Sequence, residues 1–199
     1  RYIAGCDPYD DDASDTLSLI SMFVMDLWTD EIVFEYTGRP MFADDAYENI
    51  RLALLMYNAE MNYENNKKGL FKYFSQHNCL YLLSETLEFL KDKEMVKPGM
   101  YGNKARGTGN YGSVAPYARR CIRDYLLKSI PLITEKEVDG EIVQEIKSVF
   151  NYQKIPSKAL LQELAMYTTD GNFDRHDAFC FLMLLREDKL RLLGDTSAR

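Results

Sequence analysis

Two short apolar segments of this chain each end at an acidic residue, and this pattern limits the folds open to the sequence. Residues 3–6 have the length and composition of a buried strand, and Asp7 follows them directly. Residues 61–63 are also predicted to form a strand and are followed by Glu64. If both strands belong to one sheet, their ends can lie side by side at one edge of it. The sequence therefore predicts a sheet edge at which two carboxylates meet.

The order of the elements around these strands narrows the prediction further. Period-two alternation and β-branched or aromatic residues indicate strands, and capping residues followed by apolar positions indicate helices. On these grounds the first part of the chain contains strands at residues 3–6, 16–28, 31–36 and 61–64, with a helix from Asp44 or Asp45 to about residue 60. The first three strands should form an antiparallel meander. The predicted fold class is α/β, with a central mixed β-sheet, three antiparallel strands first and helices on both faces.

The rest of the chain is predicted to be mainly helical. The predicted helices cover residues 67–76, 116–130, Glu141–Phe150, 157–167 and 175–192, and a fifth strand is predicted at residues 81–84. Residues 98–112 are rich in glycine and should form an exposed loop. Within them, GTGNYG at residues 107–112 matches a dinucleotide-binding pattern in its letters. Because no strand precedes the first glycine, we expect no nucleotide site there.

Size, cysteines and charge set the broad class. With 199 residues and 46% apolar content the chain can bury one sizeable core, so we expect a single domain over residues 1–199. No apolar run is long enough to cross a bilayer. The four cysteines form no CxxC pair, which predicts free thiols in a reducing, cytoplasmic compartment. The net charge is −7, yet residues 61–130 carry 12 Lys and Arg against 6 Asp and Glu. This basic segment can face phosphates or simply solvate exposed helices.

A third acidic position lies where the chain enters its last predicted helix. Asp174 and Asp177 are three residues apart, so both side chains can face one point beside that helix. Each acid alone has an ordinary explanation, because strand-end acids form turns and Asp174 can cap a helix. The side chains of Asp174 and Asp177 can converge with those of Asp7 and Glu64 at one site. Asp15 is near enough to Asp7 in the sequence to join them. Clustered carboxylates repel each other and are stabilised by hard cations, so the set predicts a site for Mg²⁺ or Mn²⁺.

Three motifs in this order resemble those of a known family. The segments GCDP at residues 5–8, YENN at residues 63–66 and DRHDA at residues 174–178 are similar to the three acidic motifs of one nuclease domain. That domain belongs to the large terminase subunits of tailed bacteriophages, which are members of the ribonuclease-H-like superfamily. The basic stretch from Lys104 to Arg120 resembles the loop before the family's third helix. The likeness spans nearly the whole chain and implies a ribonuclease-H-like fold.

The resemblance implies a metal-dependent endonuclease that cuts concatemeric viral DNA during genome packaging by a two-metal mechanism. The catalytic residues and metal ligands it implies are Asp7, Glu64 and Asp174, with Asp177 as a further ligand, for two Mg²⁺ or Mn²⁺ ions. The residues expected to bind double-stranded DNA are Lys104, Arg106, Arg119 and Arg120. Phe173 stands where the family often has the first of two adjacent acids. Whether Asp174 or Asp177 is the main third ligand therefore stays open.

The same resemblance implies partners and leaves two other functions open. The implied partners are an ATPase motor domain, a small terminase subunit and a portal, in the host cytoplasm and away from membranes. The chain contains no GxxxxGK[ST] phosphate loop and starts at Arg1, so we expect the nuclease part of a longer protein. The alternatives are another ribonuclease-H-like nuclease, such as a junction resolvase, and a noncatalytic docking domain of the same fold. His176, between two expected ligands, should have a supporting or surface role.

Overall fold

The computed structural model of the 199-residue chain describes residues 1–10, 18–92, 106–109, 112–138 and 141–197. Its strands are β1 (Tyr2–Asp7), β2 (Ile20–Asp26), β3 (Glu31–Gly38), β4 (Glu60–Tyr63), β5 (Ser129–Val138) and β6 (Glu141–Phe150). Its α-helices are α1 (Ala43–Tyr57), α2 (Gly69–Gln76), α3 (Glu88–Asp92), α4 (Val114–Leu126), α5 (Lys158–Met166) and α6 (Asp174–Ser197). Short 3-10 helices cover Leu80–Leu82 and Asn151–Lys154.

A four-stranded mixed sheet in the order β3-β2-β1-β4 forms the centre of the fold. β1, β2 and β3 pair antiparallel, whereas β4 lies parallel to β1 on its other side. The register places Cys6 opposite Tyr63, so Asp7 and Glu64 come next at the same edge of the sheet. The topology is ribonuclease-H-like, and the predicted fold class is confirmed.

Different helices cover the two faces of this sheet. Side chains alternate along β1, so Ala4 and Cys6 belong to one hydrophobic cluster with residues of α1 and α2. Ile3 belongs to the opposite cluster, with residues of α4 and α6. On that side α6 lies across β1 and β2 and also contacts β4. Helices are therefore present on both faces, and the long helix that carries Asp174 and Asp177 packs on the strand that carries Asp7.

Residues Glu141–Phe150 form a strand, so the helix predicted for them is wrong. β5 and β6 pair antiparallel along their whole lengths as a separate two-stranded sheet, with Ile133 opposite Ile146. The ladder satisfies backbone groups of both strands and places β-branched side chains in cross-strand pairs, which favours the extended form. The helix predicted over residues 116–130 also extends too far, because β5 begins at Ser129.

The predicted fifth strand at residues 81–84 is also wrong. A 3-10 helix covers Leu80–Leu82, and a single parallel bridge then joins Leu83 to Met61 beside β4. The backbone nitrogen of Ser84 donates to the carbonyl oxygen of Met61 at 2.8 Å. The extended part is therefore too short to add a strand to the sheet.

All four cysteines are free; Cys6, Cys79 and Cys180 are buried and Cys121 is half-buried. Within the part of the chain that the structure describes, no helix combines the length and the apolar character that crossing a bilayer requires.

Candidate functional site

Asp7 and Glu64 lie next to each other where β1 and β4 end. The two strands are parallel neighbours, and the backbone nitrogen of Glu64 donates to the carbonyl oxygen of Cys6 at 3.2 Å. Asp7 and Glu64 directly follow Cys6 and Tyr63, which are opposite each other in the β1–β4 pair, and the negative charge of Glu64 raises the pKa of Asp7. Two acids that are far apart in the sequence thus share one edge of the sheet.

The two acids at the start of α6 lie near this pair. α6 approaches β1 closely at Gly5, and its first turn carries Asp174 and Asp177. Burial raises the pKa of Asp7 well above its ordinary value of 3.8, and the negative charges of Glu64, Asp177 and Asp174 raise this pKa further. The four acids expected from the sequence are therefore close enough for the charges of Glu64, Asp177 and Asp174 to act on Asp7. We refer to Asp7, Glu64, Asp174 and Asp177 as the carboxylate cluster.

Asp174 is buried and also has a structural role. Its Oδ2 accepts hydrogen bonds from the backbone nitrogen of Leu19 at 2.9 Å and from Nδ2 of Asn172 at 3.2 Å. Burial raises the pKa of Asp174, the Leu19 hydrogen bond lowers it, and the charges of Glu163 and Asp177 raise it again. Asp174 therefore connects the chain just before β2 to the beginning of α6, in addition to its place beside Asp7.

Asp177 is partly exposed and is hydrogen-bonded to its neighbour in the sequence. Nδ1 of His176 lies 2.8 Å from Oδ1 of Asp177. The imidazole is buried and stacks on Tyr167, with 3.8 Å between the ring centroids. One turn further along α6, Sγ of Cys180 lies 3.9 Å and 4.0 Å from the two ring nitrogens of His176. His176 is thus placed to orient Asp177, and it is buried and not at the surface.

The four carboxylates are neighbours, but they do not form a closed set of ligands. Among the described residues, one group of three side chains has ligand atoms that all lie within 4.8 Å of one another, and it consists of His176, Asp177 and Cys180. No three acids of the carboxylate cluster come as close. Like charges keep such oxygens apart, and a cation between them removes the repulsion. The donor atoms fit a hard cation, whereas the spacing requires the side chains to move inward.

Glu163 of α5 fixes the beginning of α6. Its carboxylate accepts hydrogen bonds from the backbone nitrogens of Arg175 and His176 at 2.8 and 3.1 Å, and from Nη1 of Arg175 at 2.9 Å. Nε of Arg175 donates to Oε1 of Glu35 on β3 at 2.9 Å. Free backbone N–H groups at a helix start favour an acidic partner, which explains the placement of Glu163. Sequence reasoning missed both glutamates, because nothing local in the sequence links them to residue 175.

A buried hydrogen-bond network supports the end of β4 behind Glu64. Nδ2 of Asn62 donates to the carbonyl oxygen of Phe181 at 2.9 Å, and Oδ1 of Asn62 accepts from Oγ1 of Thr108 at 2.9 Å. The backbone nitrogen of Thr108 donates to Tyr63 at 2.9 Å, and Thr108 forms a bridge with Glu64. The segment 106–109 therefore packs against the site, and residues 107–109 are buried, so the exposed loop predicted for residues 98–112 is wrong at these positions. Residues 110 and 111 of the GTGNYG pattern lie outside the described residues.

The basic residues expected to bind DNA have different environments. Lys104 lies outside the described residues, as does Asp15. Nη1 of Arg106 donates to the carbonyl oxygen of Leu83, so this guanidinium is engaged at the sheet edge. Nη1 of Arg119 donates to the hydroxyl of Tyr167 at 3.2 Å. Arg120 is exposed on α4.

A pocket is lined by His176 together with residues of α4 and α5. Its volume is about 330 Å³. The pocket is lined by His176, Tyr167, Arg119, Ile122, Leu164 and Tyr152, among others. The imidazole of His176 is therefore a wall shared by the pocket and the region of Asp177.

The chain was compared with protein-family models, with curated proteins and with solved structures, and no match was found.

Proposed function

We propose that this protein is a divalent-metal-dependent endonuclease that hydrolyses phosphodiester bonds of double-stranded DNA. The observation that carries the proposal is the meeting of Asp7 and Glu64 at the ends of two parallel strands, with Asp174 and Asp177 of α6 beside them. A sheet edge with several carboxylates and a helix start is an arrangement suited to holding cations against a phosphate. The ribonuclease-H-like topology agrees with this chemistry but supports it only by analogy.

The donor set and its electrostatics support the binding of Mg²⁺ or Mn²⁺. Both ions prefer oxygen ligands, and every donor in the carboxylate cluster is a carboxylate oxygen. Burial, and then the negative charges of its neighbours, raise the pKa of Asp7, and a cation would neutralise those charges. Two such ions would supply an activated water and positive charge for the departing 3′ oxygen. Asp7 and Glu64 would be the principal ligands, with Asp174 and Asp177 completing the site.

Other residues of the chain would hold this site in its working geometry. Glu163 and Arg175 fix the first turn of α6, and His176 holds the carboxylate of Asp177 by a hydrogen bond. Such support matters because small displacements of ligands weaken metal sites considerably. Arg120 is exposed on α4 and would contact the DNA backbone, where charge rather than base sequence determines binding.

The resemblance to terminase nuclease domains suggests the biological setting. We propose concatemeric viral DNA as the substrate. The partners would be an ATPase motor domain, a small terminase subunit and a portal, in the cytoplasm of the host.

Cleavage of supercoiled plasmid tests the proposal directly. The purified protein is incubated with plasmid in Mn²⁺, in Mg²⁺ and in EDTA. Nicked and linear products are expected in Mn²⁺ and in Mg²⁺ but not in EDTA. Asp7→Asn and Glu64→Gln should each lower the rate by about a hundredfold or more, because a lost ligand removes several kcal/mol of stabilisation. Both changes keep the size of the side chain.

Glu60→Gln is the matched control. Glu60 is the acid at the beginning of β4, the strand that Glu64 follows, and its Oε2 lies 2.6 Å from Nζ of Lys189. Its replacement should leave cleavage unchanged. The proposal is wrong if Asp7→Asn and Glu64→Gln both cut at the wild-type rate. A strong preference for branched over linear duplex DNA would instead identify a junction-cutting nuclease.

A further inference from the structure

A second group of ligand atoms lies on α6 beside the carboxylate cluster. His176, Asp177 and Cys180 offer one nitrogen, one oxygen and one sulfur atom within 4.8 Å of one another. This mixed set suits Zn²⁺ and similar ions, whereas the all-oxygen cluster of Asp7 and Glu64 suits harder ions. We propose that His176, Asp177 and Cys180 form a binding site for Zn²⁺ or another thiophilic divalent ion.

The observed distances are close to those that a bound ion requires. Sγ of Cys180 lies 3.9 and 4.0 Å from the ring nitrogens of His176, and Nδ1 of His176 lies 2.8 Å from Oδ1 of Asp177. In a tetrahedral zinc site the nitrogen and sulfur ligands lie roughly 3.5 Å apart, and nitrogen and oxygen ligands roughly 3.3 Å apart. Each of these two separations therefore has to change by about half an ångström. Rotations about side-chain bonds cover such shifts.

The spacing along the helix places the three ligands on one turn. His176 and Cys180 are four residues apart, so they project from the same face of α6. Histidines at this spacing on a helix present two ligands to one zinc ion in metalloproteases. The turn itself is held by Glu163, which accepts hydrogen bonds from the backbone nitrogens of Arg175 and His176. The ion would thus meet a backbone that is already in place.

The surroundings supply orientation, access and a fourth ligand. Stacking on Tyr167 orients the imidazole, in the way that neighbouring groups orient metal-bound histidines. The side chain of Asp177 is 33% exposed, and His176 lines the pocket of about 330 Å³. Water, or the nearby carboxylate of Asp7, would complete four ligands. On binding, the thiol of Cys180 gives up its proton to solvent and the sulfur bonds to the ion.

Zinc at this site would interfere with cleavage, a consequence that rests on the proposed function. Asp177 belongs to both groups, so an ion held by His176 and Cys180 withdraws this carboxylate from the cluster. We expect Zn²⁺ to inhibit Mg²⁺-dependent cleavage and Cys180→Ser to reduce that inhibition.

Titration of the whole protein with Co²⁺ tests the zinc site itself. Co²⁺ occupies such sites in place of Zn²⁺, and its bond to a thiolate gives a charge-transfer absorption in the near ultraviolet. Under reducing conditions the wild-type protein should gain this absorption and lose it when Zn²⁺ is added. Cys180→Ser should abolish it, and Asp177→Asn should weaken Co²⁺ binding by about tenfold or more.

Cys79→Ser is the matched control, because Cys79 is also buried and lies two residues from a histidine, His77. This variant should keep the cobalt absorption. The proposal is overturned if the wild-type protein lacks the thiolate absorption or if Cys180→Ser retains it. Should Cys180→Ser fail to fold, wild-type affinity in Asp177→Asn overturns it equally. None of these measurements uses DNA, so the zinc site and the nuclease activity stand or fall separately.

Discussion

Gly5 of β1 lies so close to Leu182 of α6 that a Cβ at position 5 would be 2.1 Å from the backbone nitrogen of Leu182. The same Cβ would lie 2.5 Å from the carbonyl oxygen of Ala178. Both contacts are with helix backbone, which cannot rotate away as a side chain can. Asp7 follows two residues later on the same face of the strand. The close contact at Gly5 sets the distance between α6 and β1. It therefore also helps to place the first turn of α6 beside Asp7.

Gly5→Ala should lower the free energy of unfolding by about 3 kcal/mol or more, because the added methyl overpacks a backbone contact. Urea unfolding followed by circular dichroism measures the change. Gly194→Ala is the control, since a Cβ there would meet nothing within 4 Å, and it should cost no stability. Equal stability of Gly5→Ala and wild type would mean that α6 does not lie this close to β1.

Asp7→Asn should raise the thermal stability of the metal-free protein at neutral pH. The folded state raises the pKa of Asp7 well above 3.8, so folding favours its protonated form. Stability from this group is fully present below pH 3.8 and is lost as pH rises toward the folded-state pKa. Asparagine stays neutral and avoids this loss. Thermal melts in EDTA across pH should show the variant above wild type at neutral pH and level with it in acid.

Added Mn²⁺ should make the wild-type protein more stable than Asp7→Asn at neutral pH. A cation that binds the folded wild-type protein stabilises it by mass action, whereas Asp7→Asn has lost a ligand. Wild type should therefore gain more in melting temperature from Mn²⁺ than the variant does. A variant less stable than wild type at every pH in EDTA would contradict the picture of a strained acidic cluster.

The central sheet was predictable because its signals are local. Residues of β1 to β4 alternate or cluster in short apolar runs, and the turns between them are visible in the sequence. β6 was mispredicted because its apolar residues fit both periods. Ile142, Ile146 and Val149 are spaced as on a helix face, while Ile142, Ile146 and Phe150 share one face of a strand. Only pairing with β5, a non-local event, decides between the two.

The acids of the site were predictable, but the groups that hold them were not. Asp7 and Glu64 follow strands, and Asp174 opens a helix, so each has a sequence signal. The carboxylate of Glu163 reaches the start of α6 from α5, and the backbone nitrogen of Leu19 reaches it from a distant part of the chain. Such contacts depend on tertiary packing, and no spacing in the sequence indicates them.

Shortening the β5–β6 hairpin should leave the stability of the rest of the protein nearly unchanged. Its side chains Ile133, Ile142 and Ile146 are 58%, 72% and 69% exposed, and they belong to neither hydrophobic cluster. Joining residues 131 and 148 through Asn-Gly should change the free energy of unfolding by less than about 1 kcal/mol, because little apolar surface is lost from the core. Leu160→Ala, at a fully buried position, should cost about 2–5 kcal/mol in the same assay. If shortening the hairpin lowered the free energy of unfolding as much as Leu160→Ala does, the hairpin would have to pack on the rest of the protein.

Arg186→Ala should destabilise the protein by about 2 kcal/mol at neutral pH, because it breaks a largely buried ion pair. Nε and Nη2 of Arg186 each donate to the carboxylate of Asp30 at 2.6 Å. Burial alone would raise the pKa of Asp30, but the hydrogen bonds and charges of Arg186 and Lys128 lower it below 3.8. A lowered pKa contributes stability that is present above pH 3.8 and is lost as pH falls through the folded-state value.

The difference between Arg186→Ala and wild type should therefore shrink as the pH of the urea titration is lowered below 3.8. Arg123→Ala is the control. Its partner Asp124 lies 3.0 Å away, but both side chains are more than 60% exposed, at 67% and 62%. Such a pair contributes less than about 1 kcal/mol, so the change should have little effect at any pH. If the two variants lose equal stability at neutral pH, the Asp30–Arg186 pair does not anchor α6 to the turn between β2 and β3.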